Sequence, residues 1–469
     1  MSVRINLAVI TLVVASLTGS AACAQDKHDR FDAYVVLGSG GRAIARVITS
    51  EAQCPGIRID GQLAPMSERA APALEPQRPT HSSVSDSKPS DFPVRTCEYL
   101  VPKNASSASV NGQVLPLPPK EIRRIVVIGD TGCRLNSADH AWQACHDVKQ
   151  YPFSRIAELA ARWHPDIVVH VGDYLYRENP CPKDQPGCTG SPWGYGADSW
   201  QADFFDPARP LLRAAPWIVV RGNHESCNRA GQGWWRFLAP LPLVAGQDCN
   251  VAANDNIGDF SDAYAVPLGD HAQMIVLDTS RTANKAFAQD DPRAVAYRKL
   301  YRQLDQLSML ADDNFIVNHQ PILGFSSEPV HGRITMLPGN VGLQSVWHPL
   351  NPHLFPDKID VLLSGHVHVW EQIGFANDYP SQFVAGFSGT QEDIVPMPKR
   401  LPDEATPAIG AQVAHFSSWV DGFGYMTLER TGDKDWEVGI WNTDGKRVNT
   451  CHIHGKTSFC DVPQVHSST

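Results

Sequence analysis

Ile167-Val168-Val169-His170-Val171 runs without a break into Gly172-Asp173-Tyr174-Leu175-Tyr176. A short, β-branched, almost wholly apolar run suits a strand buried on both faces. Its sudden end in a glycine, a carboxylate and a phenol is what a site at the carboxyl edge of a parallel sheet requires. The pattern recurs in both directions along the chain. Residues 125–128 run into Gly129-Asp130-Thr131-Gly132, and residues 217–220 lead to Gly222-Asn223-His224-Glu225. Residues 315–317 lead to Asn318-His319, and residues 361–363 to Gly365-His366-Val367-His368. A sixth run, 274–277, ends in Asp278, which fits none of these blocks and is read as structural. Five polar strand ends at one sheet edge would converge on one place.

Helical patterns lie between some of the runs. Ile156, Leu159, Ala160 and Trp163 share one face, as do Leu300, Leu304 and Leu307. Strands alternating with helices imply a layered α/β domain. After Gly386 the chain returns to strand-like pieces at 424–429 and 436–441, and no internal repeat is visible. The N-terminal region reads differently. Residues 33–37, 42–49 and 95–101 are candidate strands, and 64–91 is rich in Pro, Ser and charge, as an exposed loop would be. Residues 116–119 (Pro-Leu-Pro-Pro) read as a linker. The expected organisation is therefore a small β-rich N-terminal domain over 25–118 and a catalytic domain over 119–469. Gly38-Ser39-Gly40-Gly41 is expected to turn a hairpin, since no helix pattern or complete dinucleotide fingerprint follows it.

The chain start resembles an export signal. Arg4 precedes an apolar stretch over 5–17, and Ala22-Cys23-Ala24 offers a cleavage site, so 1–24 is expected to be a signal peptide. The stretch is short for a membrane anchor and contains Asn6, Thr11 and Ser16. Cys23 admits lipid attachment as an alternative, although Ser20 stands where such sites usually carry Leu. Of 11 cysteines, cleavage would leave ten, an even number suited to disulfides in a periplasmic or secreted protein. Proximity pairs Cys54 with Cys97, Cys133 with Cys145, Cys181 with Cys188, Cys227 with Cys249 and Cys451 with Cys460. No C-x-x-C occurs.

With 469 residues, 42% hydrophobic and 19% charged, the chain has the composition of an ordinary globular protein. A formal net charge of -10 argues against nucleic acid as a main partner. A small phosphate ester remains compatible, because bound metal ions supply positive charge locally. No G-x-S-x-G, no complete P-loop and no H-E-x-x-H is present.

Singly, a strand-end Asp often caps a turn and an Asn-His is often a loop pair. Jointly, a dry core has no use for this set of Asp, Asn, His and Tyr, and a metal site does. The five blocks resemble the GDxG, GDxxY, GNHE, VxxH and GHxH signature of purple acid phosphatases, within the calcineurin-like metallophosphoesterase superfamily. Ile316 replaces the Val of the fourth block. The resemblance spans roughly 122–370, and the Tyr176 block is its most specific part.

The resemblance implies a metallophosphoesterase sandwich, two mixed β-sheets flanked by helices. It also implies that Asp130, Tyr176 and His368 bind a first metal, usually Fe3+. Asn223, His319 and His366 would bind a second, divalent Fe, Zn or Mn, with Asp173 bridging. The donor chemistry agrees: phenolate and carboxylate suit Fe3+, and two imidazoles with an amide oxygen suit a divalent ion. Two ions sharing a carboxylate lie about 3.5–4 Å apart and acidify bound water. The expected reaction is phosphomonoester hydrolysis by hydroxide attack on phosphorus, without a phospho-enzyme. His224 would contact the phosphate or the leaving group. Glu225 would orient the ligands from behind. His331, in the loop where relatives carry further substrate histidines, is a third catalytic candidate beside His224 and Asp173, though the usual spacing is not reproduced. His170 is expected to pack behind Asp173. The aromatics Trp193, Tyr195, Trp200, Trp234 and Trp235 are either core or a stacking surface for substrate. Two alternatives stay open: a phosphodiesterase or nucleotide pyrophosphatase on the same metals, and a surface-binding protein with a structural metal centre.

Overall fold

The computed structural model describes residues 31–331, 333–392, 397–398 and 401–465. The expected signal peptide lies outside them. The apolar runs form the centres of two mixed sheets. In the first, β4 (Arg124–Ile128), β5 (Ile167–His170) and β6 (Trp217–Val219) are parallel neighbours. In the second, β7 (Ala272–Val276), β8 (Asp313–Val317) and β11 (Ile359–Ser364) are parallel neighbours.

Both sheets face inward, and Val127, Val169 and Ile218 share one core with Met274, Phe315 and Val361. Helices cover the outer faces. α1 (Phe153–Arg162) and α2 (Asp206–Ala214) pack on the first sheet, and α3 (Pro292–Ser308) and α4 (Val341–Trp347) on the second. α3 begins where Asp291 accepts from the Arg293 N–H at 2.9 Å and Pro292 sets the first helical φ. The α/β sandwich follows from the period of the sequence: runs buried on both faces make inner strands, and amphipathic segments cover them.

The N-terminal region is β-rich, and its strands continue the first sheet. β1 (Phe31–Gly38) lies beside β6, with Val36 opposite Trp217, and is followed outward by β2 (Arg42–Thr49) and β3 (Arg95–Leu100). Gly38–Gly41 turns the β1–β2 hairpin, as expected, with Gly40 at φ 68°. The segment 64–91, expected as an exposed loop, also contains three short strands, Ser67–Ala70, Ala73–Glu75 and Ser90–Phe92. Pairing with β3, and of the other two with each other, overrides its turn-rich composition. All five cysteine pairs drawn from proximity are disulfides. Among the described residues no helix is long and apolar enough to cross a membrane.

Candidate metal centre

The loops after β4, β5, β6, β8 and β11 meet at one point. Three of the residues they bring there have left-handed backbone: Asp130 at φ 54°, Asp173 at 58° and His366 at 72°. Non-glycine residues occupy that region at a cost, and such strain gathers at functional sites. Two glycines permit the approach. A Cβ on Gly222 would lie 2.0 Å from Asp173 Oδ1, and one on Gly365 would lie 2.4 Å from Asp130 Oδ2.

The donor atoms form two groups on either side of Asp173. In the first, the Tyr176 hydroxyl lies 2.9 Å from Asp130 Oδ1, 3.0 Å from Asp173 Oδ2 and 2.9 Å from His368 Nε2. His368 Nδ1 faces the Gln391 carbonyl at 2.9 Å, so Nε2 carries a lone pair. One phenolic proton therefore faces three acceptors. In the second, His319 Nδ1 donates to the Val171 carbonyl at 2.9 Å. In the neutral imidazole that leaves Nε2 a lone pair 2.9 Å from Asn223 Oδ1 and 3.0 Å from Asp173 Oδ2. His366 joins this side, with its ring 5.1 Å from that of His319, and ligand atoms of Asp173, His319 and His366 all lie within 4.8 Å of one another. Lone pairs that converge without enough protons are the surroundings of a cation, and this donor set fits metal.

The electrostatics agree. Burial, followed by the charges of Asp130 and Asp173, pushes the Tyr176 phenol well above its ordinary range. Burial alone would make His319 less basic, yet Asp173 beside it pushes it up to about 9. Burial and the neighbouring His319 push His366 down to about 3. Without a cation, protons would occupy the Tyr176 oxygen and His319; a shared cation instead favours the deprotonated forms together, phenolate, carboxylate and neutral imidazole.

Behind the ligands, the Glu225 carboxylate accepts N–H bonds from Asp173 (3.1 Å), Tyr174 (2.8 Å), Leu175 (3.3 Å) and Gly222 (3.1 Å), so it clamps two ligand loops together. Burial, reinforced by Asp173, pushes its pKa up to about 8. His170 is buried, accepts from the Gly172 N–H at 3.2 Å and lies 2.9 Å from Thr131 Oγ1, a packing position as expected. Trp200, Tyr195, Trp234 and Trp235 are core, and the Trp193 ring carries Lys88 Nζ 4.7 Å above it.

The centre opens into a cavity of about 210 Å³. His224 is on its wall. The His224 N–H donates to Asp173 Oδ1 at 2.8 Å, Nδ1 faces the Leu175 carbonyl at 3.1 Å, and its ring packs 3.9 Å from that of Tyr176. His331 is not brought there. It sits exposed, at φ 50°, where the hairpin of β9 (Ser326–Val330) and β10 (Arg333–Leu337) turns, and it does not line the cavity. The hairpin's pairing carries residue 331 to its tip. Sequence reading missed other residues lining the cavity, among them His81, Arg134, Asn136 and Arg229. It also missed Glu178, paired with Arg229, and Asp203, whose carboxylate accepts from the N–H groups of Cys133 (3.0 Å) and Tyr176 (2.8 Å). Glu178 stands two residues past Tyr176 and Arg229 five past His224, but neither belongs to a ligand block.

Residues 123–370 match a family model described as calcineurin-like phosphoesterase. The chain belongs to that family. Two solved structures share the fold of this phosphoesterase. One is the purple acid phosphatase PPD1 from yellow lupin (Lupinus luteus) seeds, with 13% identity and a TM-score of 0.53 over 94% of this chain and 75% of that one. The other is PhoD, with 12% identity and a TM-score of 0.53 over 93% of this chain and 94% of that one. At such identities the likeness is one of fold. No curated protein sequence matches the phosphoesterase.

Proposed function

We propose that this phosphoesterase is an exported phosphatase that hydrolyses phosphomonoesters at a two-metal centre. The observation that carries the proposal is the pair of donor groups sharing Asp173, each with more lone pairs than protons. Asp130, Tyr176 and His368 would hold one ion, Asn223, His319 and His366 the other, and Asp173 both. The phenolate side suits Fe3+ and the imidazole side divalent Fe, Zn or Mn. When bound, the ions supply Lewis acidity toward phosphate oxygens and a water acidic enough to react near neutral pH.

The chain's own residues do the rest. His224, fixed between the Tyr176 ring and the Arg229 guanidinium, is placed to hydrogen-bond the phosphate or the leaving oxygen. Arg134 and Arg229, on the cavity wall, suit the second negative charge that a monoester keeps and a diester lacks. The five disulfides support the export reading.

The test compares p-nitrophenyl phosphate with its bis-ester on metal-loaded protein, wild type and His319→Ala. The monoester should be preferred by about tenfold or more, and the variant should lose about 100-fold or more of turnover. A preference for the bis-ester would move the chain to the phosphodiesterases. Full activity in His319→Ala would end the site assignment.

A further inference from the structure

His366 lines two cavities. One is the metal cavity. The other is a separate groove of about 410 Å³ beside it, running toward the β9–β10 hairpin. That volume lies in the range of small-molecule sites, about 300–1,000 Å³. Its walls have a definite chemistry. Pro321, Phe325, Leu337, Pro338 and Val367 present apolar surface, and among the described residues lining it none is Asp, Glu, Lys or Arg. The metal cavity differs, with Arg134, Arg229 and Asp139 in its lining.

Gln320 supplies a polar handle. It is 5% exposed, and its Oε1 accepts from Asn340 Nδ2 at 2.7 Å. Its Nε2 makes no hydrogen bond among the described residues and is not enclosed, so it offers an open donor to the groove. A donor already open to the groove can bond an acceptor on a bound ring without first breaking a bond within the protein.

We propose that this groove is the subsite for the alcohol part of the substrate, and that it selects phosphate esters of uncharged, ring-bearing alcohols. The inference rests on the phosphatase proposal. Phosphate held in the metal cavity has His366 as its boundary with the groove, so a leaving group directed past His366 enters it. A ring would lie against Phe325 and Leu337, and an oxygen on it would meet Gln320 Nε2. An alcohol bearing further phosphates or carboxylates would carry unpaired charge into a wall with no cation, which disfavours it.

The test uses 2-naphthyl, phenyl and 4-carboxyphenyl phosphate on metal-loaded full-length protein. In the wild type, kcat/KM should fall in that order, by about tenfold from naphthyl to phenyl. Ser326→Trp, which puts bulk into the groove, should bring the naphthyl-to-phenyl ratio to about one. Leu337→Ala, which removes wall without adding bulk, should lower the same ratio about threefold and serves if the tryptophan variant fails to fold. Equal kcat/KM for the three esters, or an unchanged ratio in both variants, would overturn the subsite while leaving the phosphatase standing. No turnover of any ester would overturn both.

Discussion

Arg229 lays Nη2 2.8 Å from each ring nitrogen of His224. The same guanidinium pairs with Glu178, whose side chain is 1% exposed. Burial would raise the pKa of Glu178, but Arg229 and then His224 outweigh it and hold the carboxyl below its usual range. Arg229 is thus the main partner that keeps Glu178 ionised in a buried setting. Arg229→Ala should destabilise the protein by about 3–5 kcal/mol, as loss of one partner of a buried ion pair does. The double variant Glu178→Gln/Arg229→Ala should cost clearly less than the two single changes added, because neither charge is left alone. Turnover should stay low in both, since His224 has lost the group lying over its ring. Denaturant melts of the four proteins measure the coupling, and strict additivity would mean that Arg229 and Glu178 act independently.

The Tyr176 hydroxyl, set among Asp130, Asp173 and His368, predicts a spectroscopic signature. Iron-replete wild type should show a visible charge-transfer band from a tyrosinate-ferric pair, and Tyr176→Phe should lose the band. Asn223, His319 and His366 are untouched by that change, so metal analysis should find the second ion retained. A colourless wild type holding two metals per chain would keep the phosphoesterase and replace iron with Zn or Mn.

A stability prediction follows from Glu371, which is fully buried. Its Oε2 accepts from the Phe325 N–H at 3.1 Å, and its Oε1 has no partner among the described residues. Burial pushes its pKa from 4.5 up to about 8, and the Phe325 N–H only partly opposes this. The folded protein keeps this proton between those two values while the unfolded chain releases it. Stability should therefore fall as pH rises through that window, by up to about 1.4 kcal/mol per pH unit from this group. Glu371→Gln keeps the acceptor and removes the titration. Relative to wild type it should gain stability between pH 6 and pH 8, by about 2 kcal/mol. Urea melts at the two pH values check this, and parallel slopes for the two proteins would refute it.

Much of the centre was legible because strand ends are written locally. A β-branched run followed at once by Gly-Asp or Gly-Asn-His states both the strand and the residue leaving its edge, and Asp130, Asp173, Asn223, His319, His366 and His368 were found that way. The disulfides were legible because each joins two cysteines consecutive in chain order. Glu178, Arg229, Asp203 and His81 were not. Glu178 and Arg229 follow ligand blocks closely but at positions that no block pattern marks, while Asp203 and His81 reach the centre by packing between distant segments, as Asp203 does on Cys133 N at 3.0 Å. His331 was misplaced for the same reason: the register of β9 on β10, and not distance along the chain, decides where residue 331 ends up.

The continuity of β1, β2 and β3 with the first sheet bears on whether residues 25–118 can be separated from the rest. β1 covers the edge of β6, and Tyr34 and Val36 enter the same core cluster as Trp217 and Phe237. Arg46, fully buried, donates to the Phe237 carbonyl at 2.7 Å and the Ala239 carbonyl at 2.6 Å and pairs with Glu98 at 3.1 Å. Arg69 donates to the Trp235 and Leu241 carbonyls at 2.9 and 3.0 Å. Four carbonyls of one segment, 235–241, thus take their donors from the N-terminal region. A chain of residues 119–469 would lose those donors, bare the β6 edge and expose apolar surface. It should be aggregation-prone and lack near-UV circular dichroism. Arg46→Met, in the intact chain, should cost about 3 kcal/mol by leaving carbonyls unpaired in the core. Cooperative unfolding and stoichiometric metal binding by the 119–469 chain would show instead that the N-terminal region folds as a unit of its own.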